Sequence, residues 1–134
     1  MKTWLSEGGG GPGVPETGRG GIRVVDRPVI DAVRTYLRAL ELHGLPVSLG
    51  VIFGSQVIGV RDRWSDIDVL VVSPRFDGER NRRDVDLLWH LAARTDSRIE
   101  PIPCGVRQWE EDDTNPIIEI ARRDGESIAA GEAA

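Results

Sequence analysis

Cysteine is almost missing from this chain of 134 residues, and the single Cys104 excludes an intramolecular disulfide and any thiolate metal cluster. Histidine is as scarce. His43 and His90 are too few and too far apart to form a zinc site by themselves. Positive charge is short as well: 17 Lys and Arg against 22 Asp and Glu leave a net charge of −5. A dedicated nucleic-acid binder carries a basic surface, so direct nucleic-acid binding is not expected. No apolar run approaches the roughly 18 residues that a membrane helix needs. Lys2 has no apolar stretch behind it, so a secretory signal is not expected either. These absences leave a cytoplasmic protein with no membrane partner.

What the chain has in excess is glycine, at one end. Residues 8 to 21 hold eight glycines and two prolines and almost nothing to bury. Such a segment cannot offset its ordering entropy, so 1–21 reads as a flexible tail and 22–134 as one domain.

Within that domain the apolar periodicity changes several times. Val29, Val33, Tyr36, Leu37 and Leu40 recur at helical spacing between Pro28 and His43. Asp26 is the candidate N-cap and Gly44 the stop. Val47 to Phe53 is a short apolar run closed by Gly54, which predicts a buried strand. A short helix from Ser55 to about Val60 is expected next, then a strand from Ile67 to Val72 ended by Ser73-Pro74. Val85, Leu88, Leu91 and Ala92 place a helix over 81–94, and Arg98 to Ile102 reads as a third strand whose Pro101 suits a sheet edge. Asn115 before Pro116 opens a last helix, with Ile117, Ile118, Ile120 and Ala121 as its buried stripe and Gly125 as its stop. Three strands among helices give an α/β or α+β domain.

The chemistry is concentrated between the first two strands. Gly54-Ser55 ends one apolar strand, ten residues follow, and Asp66-Ile67-Asp68 opens the next. A helix opening at Ser55 would aim unpaired N–H groups at an anion, Gly54 would let the backbone approach phosphate oxygens, and the Ser55 hydroxyl adds a donor. A serine N-cap after a strand is also common where no ligand binds. Asp66 and Asp68 would share one strand face with Leu70 and Val72, and Ile67, Val69 and Val71 the other. Carboxylates two residues apart, roughly 6–7 Å between backbones, can converge on one cation or on two about 3.5–4 Å apart. Oxygen ligands alone suit Mg²⁺. Asp-x-Asp also serves sugar-nucleotide glycosyltransferases. It is the compound pattern, Gly-Ser-x10-Asp-x-Asp between apolar strands, that points to phosphoryl or nucleotidyl transfer.

On these residues the chain resembles the nucleotidyltransferase superfamily that includes DNA polymerase beta, and within it the minimal nucleotidyltransferases of bacteria and archaea. The resemblance implies a small mixed sheet packed by helices. It also implies a third acidic residue on a later strand, a position that Glu100 in Ile99-Glu100-Pro101-Ile102 fits. Asp84, Asp86 and the run from Glu110 to Asp113 lie in helix or loop and read as solvated faces. Ser65 matches the family's Ser-Asp-x-Asp pattern, and Gly59 a recurrent glycine. Gln56 stands where many relatives have arginine. Arg61 and Arg63 could contact triphosphate or face solvent. Trp64, Trp89 and Trp109 read as packing or surface anchors, with stacking on a base the alternative for Trp64, and nothing activates Cys104.

The implied reaction is attack by an acceptor hydroxyl on the α-phosphate of ATP or another nucleoside triphosphate, releasing pyrophosphate. Asp66, Asp68 and Glu100 would hold two Mg²⁺ ions, and Gly54, Ser55 and Ser65 would bind the nucleotide. Larger relatives carry a further acceptor-binding domain for which this chain leaves little sequence. The acceptor site would then come from an oligomer of this chain or from a partner. In the minimal group the partner is a helical HEPN-type toxin that receives AMP. A contact-only antitoxin and a small-molecule nucleotidyltransferase remain alternatives.

Overall fold

The computed structural model describes residues 25–54 and 66–130. The expectations of a tail over 1–21, a domain start at 22 and a helix after Ser55 lie outside these residues.

Helix α1 runs Arg27–Leu42 and buries Val29, Val33, Tyr36, Leu37 and Leu40 as one stripe. Pro28 lies in its first turn, where its preset φ suits the helix. Asp26 occupies the N-cap position, as the sequence suggests, without a side-chain capping bond. At the other end Gly44 adopts φ +93°. That left-handed residue lets the Leu45 N–H reach back to the Leu40 carbonyl at 3.0 Å and end the helix.

Strands β1 (Leu49–Phe53) and β2 (Ile67–Val72) pair antiparallel, with Leu49 opposite Val72 and Phe53 opposite Asp68. A 3-10 turn at Pro74–Phe76 leads to α2 (Arg82–Thr95), which carries the chain over to β3 (Ile99–Cys104). There β3 lies parallel to β2, with Asp68 beside Glu100. Helices α3 (Val106–Glu111) and α4 (Pro116–Asp124) follow, and β4 (Glu126–Ile128) pairs antiparallel with β1. The sheet order is β3-β2-β1-β4. It is mixed and packed by helices, as the resemblance implied, with a fourth strand that the sequence reading lacked.

Each sheet face has its own core. Ile67, Val69 and Val71 of β2 join Ile52, Ile99 and the stripes of α1 and α2. Leu70 and Val72 join Val51, Phe53, Cys104 and, from α4, Ile118 and Ala121. The Tyr36 hydroxyl donates to the Leu88 carbonyl at 2.9 Å and ties α1 to α2. Two expectations fail. Ile117 and Ile120 are exposed, because α4 touches the sheet through the narrower strip of Ile118 and Ala121. Asp84 is buried rather than solvated, because the Arg75 Nε and Nη2 donate to its two oxygens at 3.2 and 3.0 Å. The same guanidinium donates through Nη1 to the Gly44 carbonyl, so this ion pair joins the end of α1 to α2.

The outer edge of β3 is closed by chemistry. The Arg98 carbonyl accepts from the Ile67 N–H and the Cys104 carbonyl from the Ser73 N–H, so even-numbered residues turn their backbone groups toward β2. The backbone groups of residues 99, 101 and 103 face away from β2. The Ile99 N–H is taken by the Asp96 carbonyl at 2.9 Å. Pro101 and Pro103 have no N–H to offer. Replacing both with alanine should create two donors facing away from β2, at buried position 101 and half-buried position 103. Sedimentation should then show concentration-dependent self-association absent from the wild type, with the monomer still folded.

Asp96 also organises the turn that starts β3. Its carboxylate accepts from the backbone N–H of Arg98 at 3.0 Å and from the Arg98 Nε and Nη2 at 3.1 and 2.8 Å. Those side-chain bonds hold the Asp96 carboxyl below its ordinary value of 3.8. A lowered folded-state pKa gives stability that is present above that value and is lost as pH falls through the folded one. The pair is partly exposed, so the contribution is below about 1 kcal/mol. Asp96→Asn should therefore lower Tm slightly at neutral pH, and the gap should close as the pH is taken below 3.8.

Candidate active site

The register brings the carboxylates together. Asp68 is the second residue of β2, opposite Phe53 on one side and Glu100 on the other. By strand alternation Asp68 shares the face of Leu70 and Val72, and Glu100 the face of Ile102 and Cys104. The apolar cover on that face includes Phe53 and Leu70, and Asp68 follows next toward the start of the strand. Asp68 is half-buried, whereas Asp66 and Glu100 are exposed.

Gly54 ends β1 with φ +82°. A Cβ built there would lie 2.5 Å from the Asp68 Oδ2, a separation real Cβ atoms do not tolerate. Glycine is thus needed twice, for the left-handed turn and for the notch that receives the carboxylate. The sequence reading assigned Gly54 to phosphate approach; in the folded chain its bare face is already against Asp68. Ser55 and Ser65, together with Gln56, Gly59, Arg61, Arg63 and Trp64, lie outside the described residues.

Like charges act on two members of the group. Burial, then the charge of Asp66, push the Asp68 carboxyl up from its ordinary range. Partial loss of hydration, a side-chain hydrogen bond with Asp66 and the charges of Asp66 and Asp68 push Glu100 up as well. A bond between two carboxyl groups requires a proton, and a divalent cation can replace that proton. Among the described residues no three His, Cys, Asp or Glu side chains are gathered closely enough to hold a metal as they stand. The donor set fits a hard cation nevertheless: hard oxygen ligands, mutual repulsion and solvent access.

Other candidates resolve toward structure. Burial raises the Cys104 thiol to about 11, leaving it protonated and unreactive. Trp109 packs at the edge of the second core with the Arg122 guanidinium 5.8 Å from its ring centre. The same guanidinium caps α3 through bonds to the Gln108 and Trp109 carbonyls. His43 and His90 line a shallow cavity of about 560 Å³ with Arg75, Asp84 and Leu87. Arg75 follows the last residue of β2, so this cavity lies toward the opposite end of that strand from the carboxylates. Among the described residues no helix is long and apolar enough to cross a membrane.

Residues 30–123 match the model of the nucleotidyltransferase domain. The chain belongs to this family. It is a nucleotidyltransferase, of a kind that uses nucleoside triphosphates and divalent metal. No match was found among curated proteins. Among solved structures, a chain from a crystal structure of a toxin–antitoxin with AMP-PNP aligns with a TM-score of 0.51 and 22% identity over 74% of each chain. At that identity the likeness establishes the fold.

Two glycines permit a controlled test of the notch. Gly44 and Gly54 both have positive φ, but a Cβ at Gly44 would meet nothing within 4 Å. Alanine at either position should cost roughly 1–2 kcal/mol of backbone strain. Only Gly54→Ala should also displace Asp68 and abolish calorimetric binding of ATP with Mg²⁺. Equal loss of binding in both variants would reduce the effect to stability.

Proposed function

We propose that this nucleotidyltransferase transfers AMP from ATP to a hydroxyl group of a partner protein, a helical HEPN-type toxin that it neutralises as an antitoxin of the minimal nucleotidyltransferase group. The observation that carries the reading is Asp68 beside Glu100 across β2 and β3, with Asp68 seated against Gly54 and Asp66 just before the strand. The fold likeness to a chain of a toxin–antitoxin structure with AMP-PNP supports the choice of an adenine nucleotide and of a toxin partner.

In this reading Asp66 and Asp68 hold Mg²⁺, as two ions, and Glu100 completes one of the sites. When bound, the metal supplies positive charge that polarises the α-phosphate and steadies the departing pyrophosphate. The acceptor oxygen forms a bond to the α-phosphorus as the bond to the bridging oxygen of pyrophosphate breaks, and the hydroxyl proton passes to the Glu100 carboxylate. Gly54, Ser55 and Ser65 hold the nucleotide.

A second reading is a protein that neutralises its partner by contact alone. Incubation with the cognate partner, ATP and Mg²⁺ separates the two. Intact-mass measurement should show one or more AMP units added to the partner, and Asp66→Ala with Asp68→Ala should stop the gain. Full neutralisation by the double variant, with no adduct at any time, would establish the contact-only reading.

A further inference from the structure

The cavity between the end of α1 and the first half of α2 is lined both by groups that give hydrogen bonds and by groups that take them. Arg83, Leu87 and His90 stand three or four residues apart on one face of α2, and His43 meets them from the C-cap of α1. Arg75 forms part of the wall, but three of its N–H groups are spent on Asp84 and on the Gly44 carbonyl. Both Asp84 oxygens accept from it, so the charge of that carboxylate is balanced.

The remaining polar lining is mixed. The Arg83 guanidinium can only donate. The His43 Nδ1 lies 2.9 Å from the Ala39 carbonyl. A carbonyl only accepts, so the hydrogen sits on Nδ1 and the Nε2 of the neutral ring is an acceptor. Asp86 accepts as well, and its ion pair with Arg82 spans 3.9 Å between two exposed side chains, a weak hold. A metal ion is not the fit, since among the described residues no three His, Cys, Asp or Glu side chains gather closely enough to hold one.

We infer that this cavity binds a protonated phosphate group, with Arg83 donating to its charged oxygens and the two acceptors, Asp86 and the His43 Nε2, available to its P–OH hydrogen. A phosphate group has a second pKa of about 6 in its esters, so part of the population keeps that hydrogen near neutral pH. Sulfate has acceptors only and would set them against the Asp86 carboxylate. The cavity, at about 560 Å³, is roomier than a phosphate ion, and Leu87 offers an apolar wall for the carbon part of a phosphorylated small molecule.

The chain has two histidines and both line this cavity, so their imidazole nitrogen NMR signals report on it alone. The full-length ¹⁵N-labelled protein is titrated near neutral pH, at constant ionic strength and without added metal, with sodium phosphate, ribose 5-phosphate or sodium sulfate. Phosphate should shift both imidazoles along saturating curves that share one dissociation constant, and sulfate should bind roughly tenfold more weakly. Tighter binding of ribose 5-phosphate than of phosphate assigns the cavity to a phosphorylated small molecule, and weaker binding assigns it to the free ion. Arg83→Gln, at an exposed position, should weaken phosphate binding about tenfold. Asp86→Asn, whose amide can donate, should raise sulfate to the affinity of phosphate. Asp68→Asn should leave the shifts unchanged. Three results would overturn the inference: equal binding of phosphate and sulfate by the wild type, binding that Arg83→Gln does not alter, or shifts lost in Asp68→Asn, which would place the phosphate at the carboxylates.

Discussion

Strand β2 is buried on both faces along most of its length, and the rest of the molecule is arranged around that condition. Five of its six residues are buried, alternating between the core under α1 and α2 and the smaller core under α4. A strand so enclosed has one register available, because a slip of one residue would exchange the contents of the two cores. The same register sets Asp68 between Phe53 and Glu100. The position of the carboxylates is thus fixed by the packing of leucines, valines and isoleucines rather than by the carboxylates, which repel one another.

That repulsion is tolerated because of where it is placed. Asp66 and Glu100 are exposed, so water screens most of their charge, and only Asp68 is drawn partly out of solvent. Its oxygen lies against the bare face of Gly54, a contact that any other residue would exclude. Like charges close together, one of them partly buried, are common at functional sites.

The legible parts of the sequence were those in which local pattern and burial coincide. The alternation from Asp66 to Val72 gave both faces of β2 because each face has a dense core to fill. Pro101 was legible as an edge marker, but β3 continues past Ile102 to Cys104 since neither Pro101 nor Pro103 faces its backbone toward β2. Strand β4 was not legible: it is three residues long and buries only Ile128, so Gly125 read simply as a helix stop. The short α3 buries no residue completely and has no apolar stripe to find. Ile117 and Ile120 misled in the other direction, because hydrophobicity was taken for burial in a helix that meets the sheet along one narrow strip. Asp84 failed for a different reason: it acquires its meaning from Arg75, which the fold brings to it.

The edges of the sheet constrain how a polypeptide acceptor can approach. On the β3 side the outward N–H groups are either absent, at Pro101 and Pro103, or spent on the turn, at Ile99. An extended segment could not add there as a further strand, because its carbonyls would find no donors. On the other side β4 offers three residues, and two strands separate it from Glu100. Under the proposed reaction, an acceptor hydroxyl bound for Asp66, Asp68 and Glu100 would arrive over the sheet face, where apolar cover gives way to the carboxylates. Specificity for such an acceptor would rest on side-chain contacts along that face rather than on backbone pairing, which suits a folded helical partner better than an extended peptide.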